Sequence, residues 1–290
     1  KKHYMLKRAF NGIYKARIED PKLIVNWSCG IGLWDMEMAE KFPQCKIIAI
    51  DFVQAPLANL RDSLANVEFR ECVIDETHTG MESIESGTVD YVMMKDCWLI
   101  NSPSHKWTNV LDQVFRILKP NGWIELSENE SQGKNMAQLD TYFAAFFNEM
   151  EIDRNIAEKL GDLLEFSGFN SIEKTAYTIP VGDWPAAKDS KEMGFLFKDV
   201  LEKRLRNSAK WLSIVNDVEE NEIQQIISIS LDEEIVANRS HVDWFSYTAR
   251  KPNNESGPNK SSAISNNNFI ATTLTPTTSQ HNVTSQSLQI

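Results

Sequence analysis

The stretch from Lys22 to Pro43 constrains the fold of this chain more than any other. A short apolar run, Lys22 to Trp27, is closed by Ser28-Cys29-Gly30-Ile31-Gly32, after which Trp34, Met38 and Phe42 recur at helical spacing. That pattern is strand, tight glycine turn, helix. Glycine at such a turn lets backbone approach a ligand because no Cβ intervenes, and the first N–H groups of the helix point at whatever is bound. A second β-rich run, Lys46 to Ile50, ends on Asp51, 19 positions after Gly32. This is close to the offset of about 20 residues at which a strand-end carboxylate grips ribose hydroxyls in nucleotide-binding α/β folds.

The alternation continues. A helical stretch around Leu57 to Leu64 precedes a third strand, Val67 to Ile74, and a fourth, Val89 to Met94, follows the Gly87 turn and ends at Lys95-Asp96. Val110, Leu111, Val114, Phe115 and Leu118 share one helical face, with Thr108 as N-cap and Pro120-Asn121-Gly122 as the stop. Trp123 to Leu126 supplies a fifth strand, and two helices follow, Met136 to Met150 and Ile156 to Leu164. Ile172 to Ile179 reads as strand, Trp184 to Val236 as mostly helix, and Val242 to Ala249 as a last strand. Strands alternating with helices imply an α/β fold with a mostly parallel sheet and helices on both faces. We expect one domain over residues 1–252, with a helical cap at about 184–236. Residues 253–290 are rich in Asn, Ser, Thr, Pro and Gln and are expected to be a disordered tail.

Composition removes several classes of function. Thirty Lys and Arg against 41 Asp and Glu give a formal charge of −11, so there is no basic field for phosphate backbones or anionic lipid. Nucleic acid is not an expected partner. Cys29, Cys45, Cys72 and Cys97 form no CxxC pair, so neither a metal site nor a disulfide framework is expected. No apolar run approaches the ~20 residues of a bilayer span, and Lys1 to Phe10 lacks the apolar segment of a secretory signal. A cytoplasmic or nuclear protein with no membrane partner is expected. A dinucleotide site wants a third glycine where Asp35 stands, and that side chain should hinder close helix packing and repel pyrophosphate. A phosphate-binding GK[ST] is absent.

The segment Leu23-Ile-Val-Asn-Trp-Ser-Cys-Gly-Ile-Gly-Leu-Trp-Asp-Met-Glu-Met-Ala-Glu-Lys-Phe-Pro resembles the first motif of class I S-adenosylmethionine-dependent methyltransferases. It is most similar to the fungal branch containing secondary-metabolism regulators. Ile50-Asp51, Asn66-Val-Glu-Phe, Val89-Asp-Tyr-Val, Arg116-Ile-Leu-Lys-Pro-Asn-Gly-Trp-Ile-Glu-Leu-Ser-Glu, Gly168-Phe169 and Pro180-Val-Gly-Asp-Trp extend the similarity from about His3 to Pro252. The resemblance implies a seven-stranded Rossmann-like sheet, six strands parallel and the last antiparallel. It also implies S-adenosylmethionine as cofactor. The cofactor's methionine end would lie against Asn26, Trp27, Ser28, Cys29, Gly30, Gly32 and Trp34, its ribose on Asp51, and its adenine beside Phe52, Cys72, Val73 and Ile74. Lys95 and Asp96 would face the transferred methyl group and a small-molecule or protein acceptor.

The chain departs from the motif at four places: Asn26 and Val73 stand where an acid is usual, Ser28 where a glycine is, and Ile31 where a small polar residue is. These departures support the alternative of a degenerate, cofactor-binding regulatory or scaffolding protein with protein partners. His105 is a positional candidate for a general base, with His78 a second; the competing role for each is an exposed loop side chain. For Lys95, Asp96 and Glu128 the competing role is a solvated charge at a strand end. Trp98, Trp107, Trp184 and Trp211 either line an acceptor pocket or pack a core.

Overall fold

A computed structural model of the 290-residue chain describes residues 1–52, 64–75, 77–97, 101, 103, 105–129 and 136–253. The expected helix at 57–64, Trp98 and the tail beyond Asn253 lie wholly or largely outside the described residues. The chain opens with helix α1 (Lys2–Ala9), then β1 (Leu23–Trp27), α2 (Leu33–Lys41), β2 (Lys46–Asp51), β3 (Val67–Glu71) and β4 (Val89–Lys95). It continues through α3 (Lys106–Ile117), β5 (Leu118–Asn129), α4 (Ala137–Glu149), α5 (Ile156–Phe166) and β6 (Asn170–Pro180). Helices α6 (Lys188–Asn216) and α7 (Glu220–Ile229) and a π-helical turn (Ser230–Glu234) lead through α8 (Ile235–Ala237) to β7 (His241–Arg250).

Seven strands form one sheet in the order β3-β2-β1-β4-β5-β7-β6. β7 runs antiparallel to both of its neighbours, and the pairs from β3 to β5 are all parallel. The central strands read as near-continuous apolar runs because both faces are covered. Period-two alternation assigns the faces. Val25, Trp27, Ile48, Ile50, Val92 and Met94 pack with Val110, Leu111 and Val114 of α3 and Leu160 and Leu164 of α5. Ile24, Ile47, Tyr91 and Met93 pack on the opposite face with Trp34 and Met38 of α2. A third cluster joins α4, α6 and α7 to Ile179, Val242 and Trp244, and takes in Met5, Leu6 and Phe10 from α1 and the segment after it.

Two expected boundaries move. The helix after β4 starts earlier, with His105 and not Thr108 at its N-cap, and Thr108 lies within it. Pro120-Asn121-Gly122 does not merely stop that helix. The β4–β5 ladder jumps from Val89–Leu118 to Tyr91–Trp123, so residues 119–122 bulge out of β5, where a proline lacking N–H disturbs no ladder bond. A Cβ on Gly122 would sit 2.9 Å from the Lys119 carbonyl and 3.2 Å from that of Val89, so only glycine fits there.

Candidate functional site

With β2 and β3 on one side of β1 and β4 on the other, the strand order reverses between β1 and β4. Open α/β sheets bind ligands in the crevice at the carboxyl ends of such strands. Both strands end in left-handed backbone, at Ser28 (φ 67°) and Asp96 (φ 57°), a conformation uncommon outside glycine. Ser28 thus adopts the conformation that a glycine would take freely. The amides of Ser28 and Cys29 both donate to the Ile50 carbonyl, at 2.9 and 3.0 Å, which pins the turn to β2.

Asp51 reaches from β2 onto that turn. Its Oδ2 accepts the Gly30 N–H at 2.7 Å, and its Oδ1 accepts the Phe52 N–H at 2.8 Å. A Cβ placed on Gly30 would meet nothing within 4 Å among the described residues, whereas one on Gly32 would strike the Phe69 ring at 2.7 Å. Ile31 and Val73 stand 47% and 63% exposed, large apolar side chains left facing solvent beside the turn. Cys29, Phe52, Cys72 and Ile74 are half-buried. A carboxylate, an open glycine turn and apolar edges suit a nucleoside with a sulfonium side arm.

Trp27 and Trp34 do not suit it. The Trp27 ring is fully buried on the α3 face and its Nε1–H donates to the Thr79 carbonyl at 2.7 Å. The Trp34 indole donates to the Ile13 carbonyl at 2.7 Å and packs under α2. Both are core residues that flank the motif.

Asn26 and Asp35 form a pair that the sequence reading missed. Asn26 Nδ2 donates to both carboxylate oxygens of Asp35, at 3.0 and 2.9 Å, and both residues are buried. Asp35 therefore braces the first turn of α2 against β1; it does not obstruct packing there. Burial pushes its carboxyl up to about 7, with the Asn26 hydrogen bond opposing. An acid whose folded value is raised contributes stability that is complete below its unfolded value near 4 and is lost as pH rises through 7. Asp35→Asn should therefore flatten the pH dependence of stability. The variant should gain at least about 1 kcal/mol on wild type between pH 5 and pH 8, checked by urea unfolding at both.

Beyond β4, acidic and basic groups crowd together. The Asp96 carboxylate accepts from Asn129 Nδ2 at 2.9 Å and pairs with Lys2. Burial alone would raise its pKa, but the charges of Lys2 and Arg204 hold it well below the usual carboxylate range. Glu128 is not a solvated strand-end charge. It is completely buried, accepts the Cys97 N–H on Oε1, and has no partner for Oε2 among the described residues. Burial and the nearby Asp96 push its carboxyl far up. Lys95 is enclosed beneath the segment after α1, with its ammonium 5.9 Å from the Phe10 ring centre, and burial lowers its pKa.

A cavity of about 400 Å³ opens beside Asp96, walled by Lys1, Lys2, residues of α6 and Trp244. Trp107, Trp184 and Trp211 are not among its lining: Trp107 belongs to the α3 core, and the other two pack on the α6 cluster. Trp244 escaped sequence reading because its burial depends on the long-range β6–β7 pairing. His105 stands exposed at the start of α3. His78 is bound by Asp75 in a surface turn, at 3.0 Å.

The sheet order and the crevice are those of the class I methyltransferase fold, and residues 24–122 match the family described as "Methyltransferase domain". The chain is also similar to fungal proteins. The methyltransferase cpsF of Aspergillus campestris is 22% identical over 270 residues, covering 85% of this chain and 91% of the relative. The methyltransferase pytC of Aspergillus terreus is 25% identical, covering 68% and 61%. The secondary metabolism regulator laeA of Coprinopsis cinerea is 29% identical over 107 residues, covering 37% and 24%, so the chain spans only part of these last two. Among solved structures, phosphoethanolamine N-methyltransferase 2 of Haemonchus contortus in complex with S-adenosyl-L-methionine superposes with a TM-score of 0.51 at 19% identity, over 86% of this chain and 51% of that one. The cyclopropane synthase MmaA2 of Mycobacterium tuberculosis gives 0.50 at 11%, over 85% and 84%.

Proposed function

We propose that this protein transfers the methyl group of S-adenosylmethionine to a small molecule seated in the cavity beside Asp96. The feature that carries the reading is the Asp51 carboxylate at the end of β2, fixed by the Gly30 N–H at 2.7 Å beside a turn with no neighbour within 4 Å of a Gly30 Cβ among the described residues. It would face the ribose of the cofactor, and Ile31 and Val73 would cover the adenine faces. Ser28 to Gly32 would face the methionine arm. When bound, the cofactor would supply a methyl carbon on a sulfonium, open to displacement by an acceptor lone pair with a neutral thioether as the leaving group. The protein's part is alignment, which alone can supply much of the acceleration of an in-line displacement. Asp96, held low by Lys2 and Arg204, is a weak base. The size of the cavity favours a small acceptor over a protein surface.

A second reading, a cofactor-bound regulator that transfers nothing, draws on Asn26 and Ser28 in the motif and on the laeA similarity. Among the described residues no helix is long and apolar enough to cross a membrane. Calorimetry should give micromolar dissociation constants for S-adenosylmethionine and S-adenosylhomocysteine, as is usual for enzyme ligands. Binding of neither would overturn both readings. Binding without transfer of labelled methyl to any component of a small-molecule extract would leave the regulator.

A further inference from the structure

We infer that Lys95 holds the carboxylate at the methionine end of the cofactor, so that this chain grips the acidic tip of that arm and not its ammonium. The inference rests on the proposed function, because it takes S-adenosylmethionine as the ligand of the crevice. Pairing of Asn26 with Met93 and of Trp27 with Met94 brings Lys95 alongside Ser28, the first residue of the glycine turn. Neighbouring strands lie about 4.8 Å apart, so a group lying along that turn is within reach of a lysine side chain. Of the strand ends that border the crevice, β1 closes on Trp27, β2 on Asp51 and β4 on Lys95, and Lys95 is the cation among them. Alternation separates it from the acceptor cavity. Lys95 follows Tyr91 and Met93 onto the face that α2 covers, which is also the face of Ile24 and Asn26. Asp96, Lys1 and Lys2 wall the cavity, and Lys95 is not part of its lining.

The surroundings of the ammonium leave its hydrogen bonds to be made. The Phe10 ring centre is 5.9 Å away. Glu125 and Asp35 attract the charge, and Lys2 opposes it. Both acids are taken by other donors. Glu125 accepts the Lys15 and Ala16 N–H groups at 2.7 and 3.0 Å and the Tyr91 hydroxyl at 3.1 Å, and Asp35 accepts Asn26 through both oxygens. Among the described residues the Lys95 ammonium makes no hydrogen bond or ion pair, and the half-buried side chain does not seal it from solvent. An ammonium has three donors and no acceptor, and its bonds to a carboxylate are about twice as strong as neutral ones. A carboxylate arriving along Ser28 to Gly32 supplies that partner. The ammonium of the same arm meets a neutral amide at Asn26, where an acid is usual.

The test is calorimetry on the full chain with S-adenosylhomocysteine and two analogues, one lacking the carboxylate and keeping the amine, the other lacking the amine and keeping the carboxylate. Loss of the carboxylate should weaken binding at least about tenfold, and loss of the amine no more than about threefold. Lys95→Met should weaken S-adenosylhomocysteine at least about tenfold and leave the decarboxylated analogue within about threefold, whereas Lys95→Arg should keep most of the wild-type affinity. A merely structural lysine would weaken both ligands alike. Equal wild-type affinity for S-adenosylhomocysteine and the decarboxylated analogue, a larger loss from removing the amine than the carboxylate, or an equal loss for both ligands in Lys95→Met would overturn the inference and leave the cofactor reading intact. Should Lys95→Met fail to fold, the wild-type comparison and Lys95→Gln decide on the same criteria. Binding of none of the three ligands would overturn the proposed function, and this inference with it.

Discussion

Replacing Asp51 with alanine should weaken binding of S-adenosylmethionine roughly 10- to 100-fold, because a hydrogen bond to a charged group is worth about 1.5–3 kcal/mol. The loss has two sources. In the proposed function the carboxylate accepts from the ribose, and it also fastens the Gly30 amide, so its removal loosens a turn in which Ser28 already occupies left-handed backbone. Asp51→Asn keeps an acceptor for one partner but gives up the charge, and its effect should be smaller, on the order of several-fold. Calorimetry with S-adenosylhomocysteine measures both, and thermal melting without ligand separates binding from folding. An alanine variant within threefold of wild type would mean that the sugar sits elsewhere.

Trp27→Ala should destabilise the fold by about 3–5 kcal/mol, the range for removing a buried aromatic ring. That is a large fraction of the ~5–15 kcal/mol that holds a domain together. The ring fills the space between β1 and α3, and its N–H satisfies the Thr79 carbonyl, which would be left buried without that donor. Trp27→Phe restores most of the volume but not the hydrogen bond and should recover more than half of the loss. Urea unfolding reads both. A loss below about 1 kcal/mol for alanine would show that the ring packs on ligand space and not on core.

The sheet was legible because its central strands are covered on both faces and so stand out as short apolar runs ending in glycine turns or acids. The two helices after β5 were legible from the helical spacing of their apolar residues. What escaped depends on contacts across the fold. α1 carries few apolar residues, and Met5 and Leu6 count as core only once the helix meets α6. Asp35 looked like an obstacle, because nothing in the spacing shows that its carboxylate returns to Asn26. The charges around Asp96 draw Lys2 and Arg204 from opposite ends of the domain, so no local pattern announces them. The assignment of Trp27 is different in kind: alternation along β1 puts it on the face of Val25, not toward the crevice, and that was available from the sequence alone. Motif proximity outweighed it. Asp51 could be placed from spacing, because a strand and a glycine turn fix where the next strand must end.

α1 bridges the helical side of the domain and the crevice end of the sheet. Met5, Leu6 and Phe10 are embedded with α6 and with Trp244 of β7, and Arg8 ties the same helix to Asp189 and Glu192. Toward α2 and the end of β4 its ties among the described residues are polar: His3 and Lys7 to Glu37, and Lys2 to Asp96. Partly exposed pairs of this kind are each worth less than about 1 kcal/mol and weaken with salt. Rising ionic strength therefore loosens the grip of the helix on α2 and Asp96 while its apolar anchorage on the helical side persists.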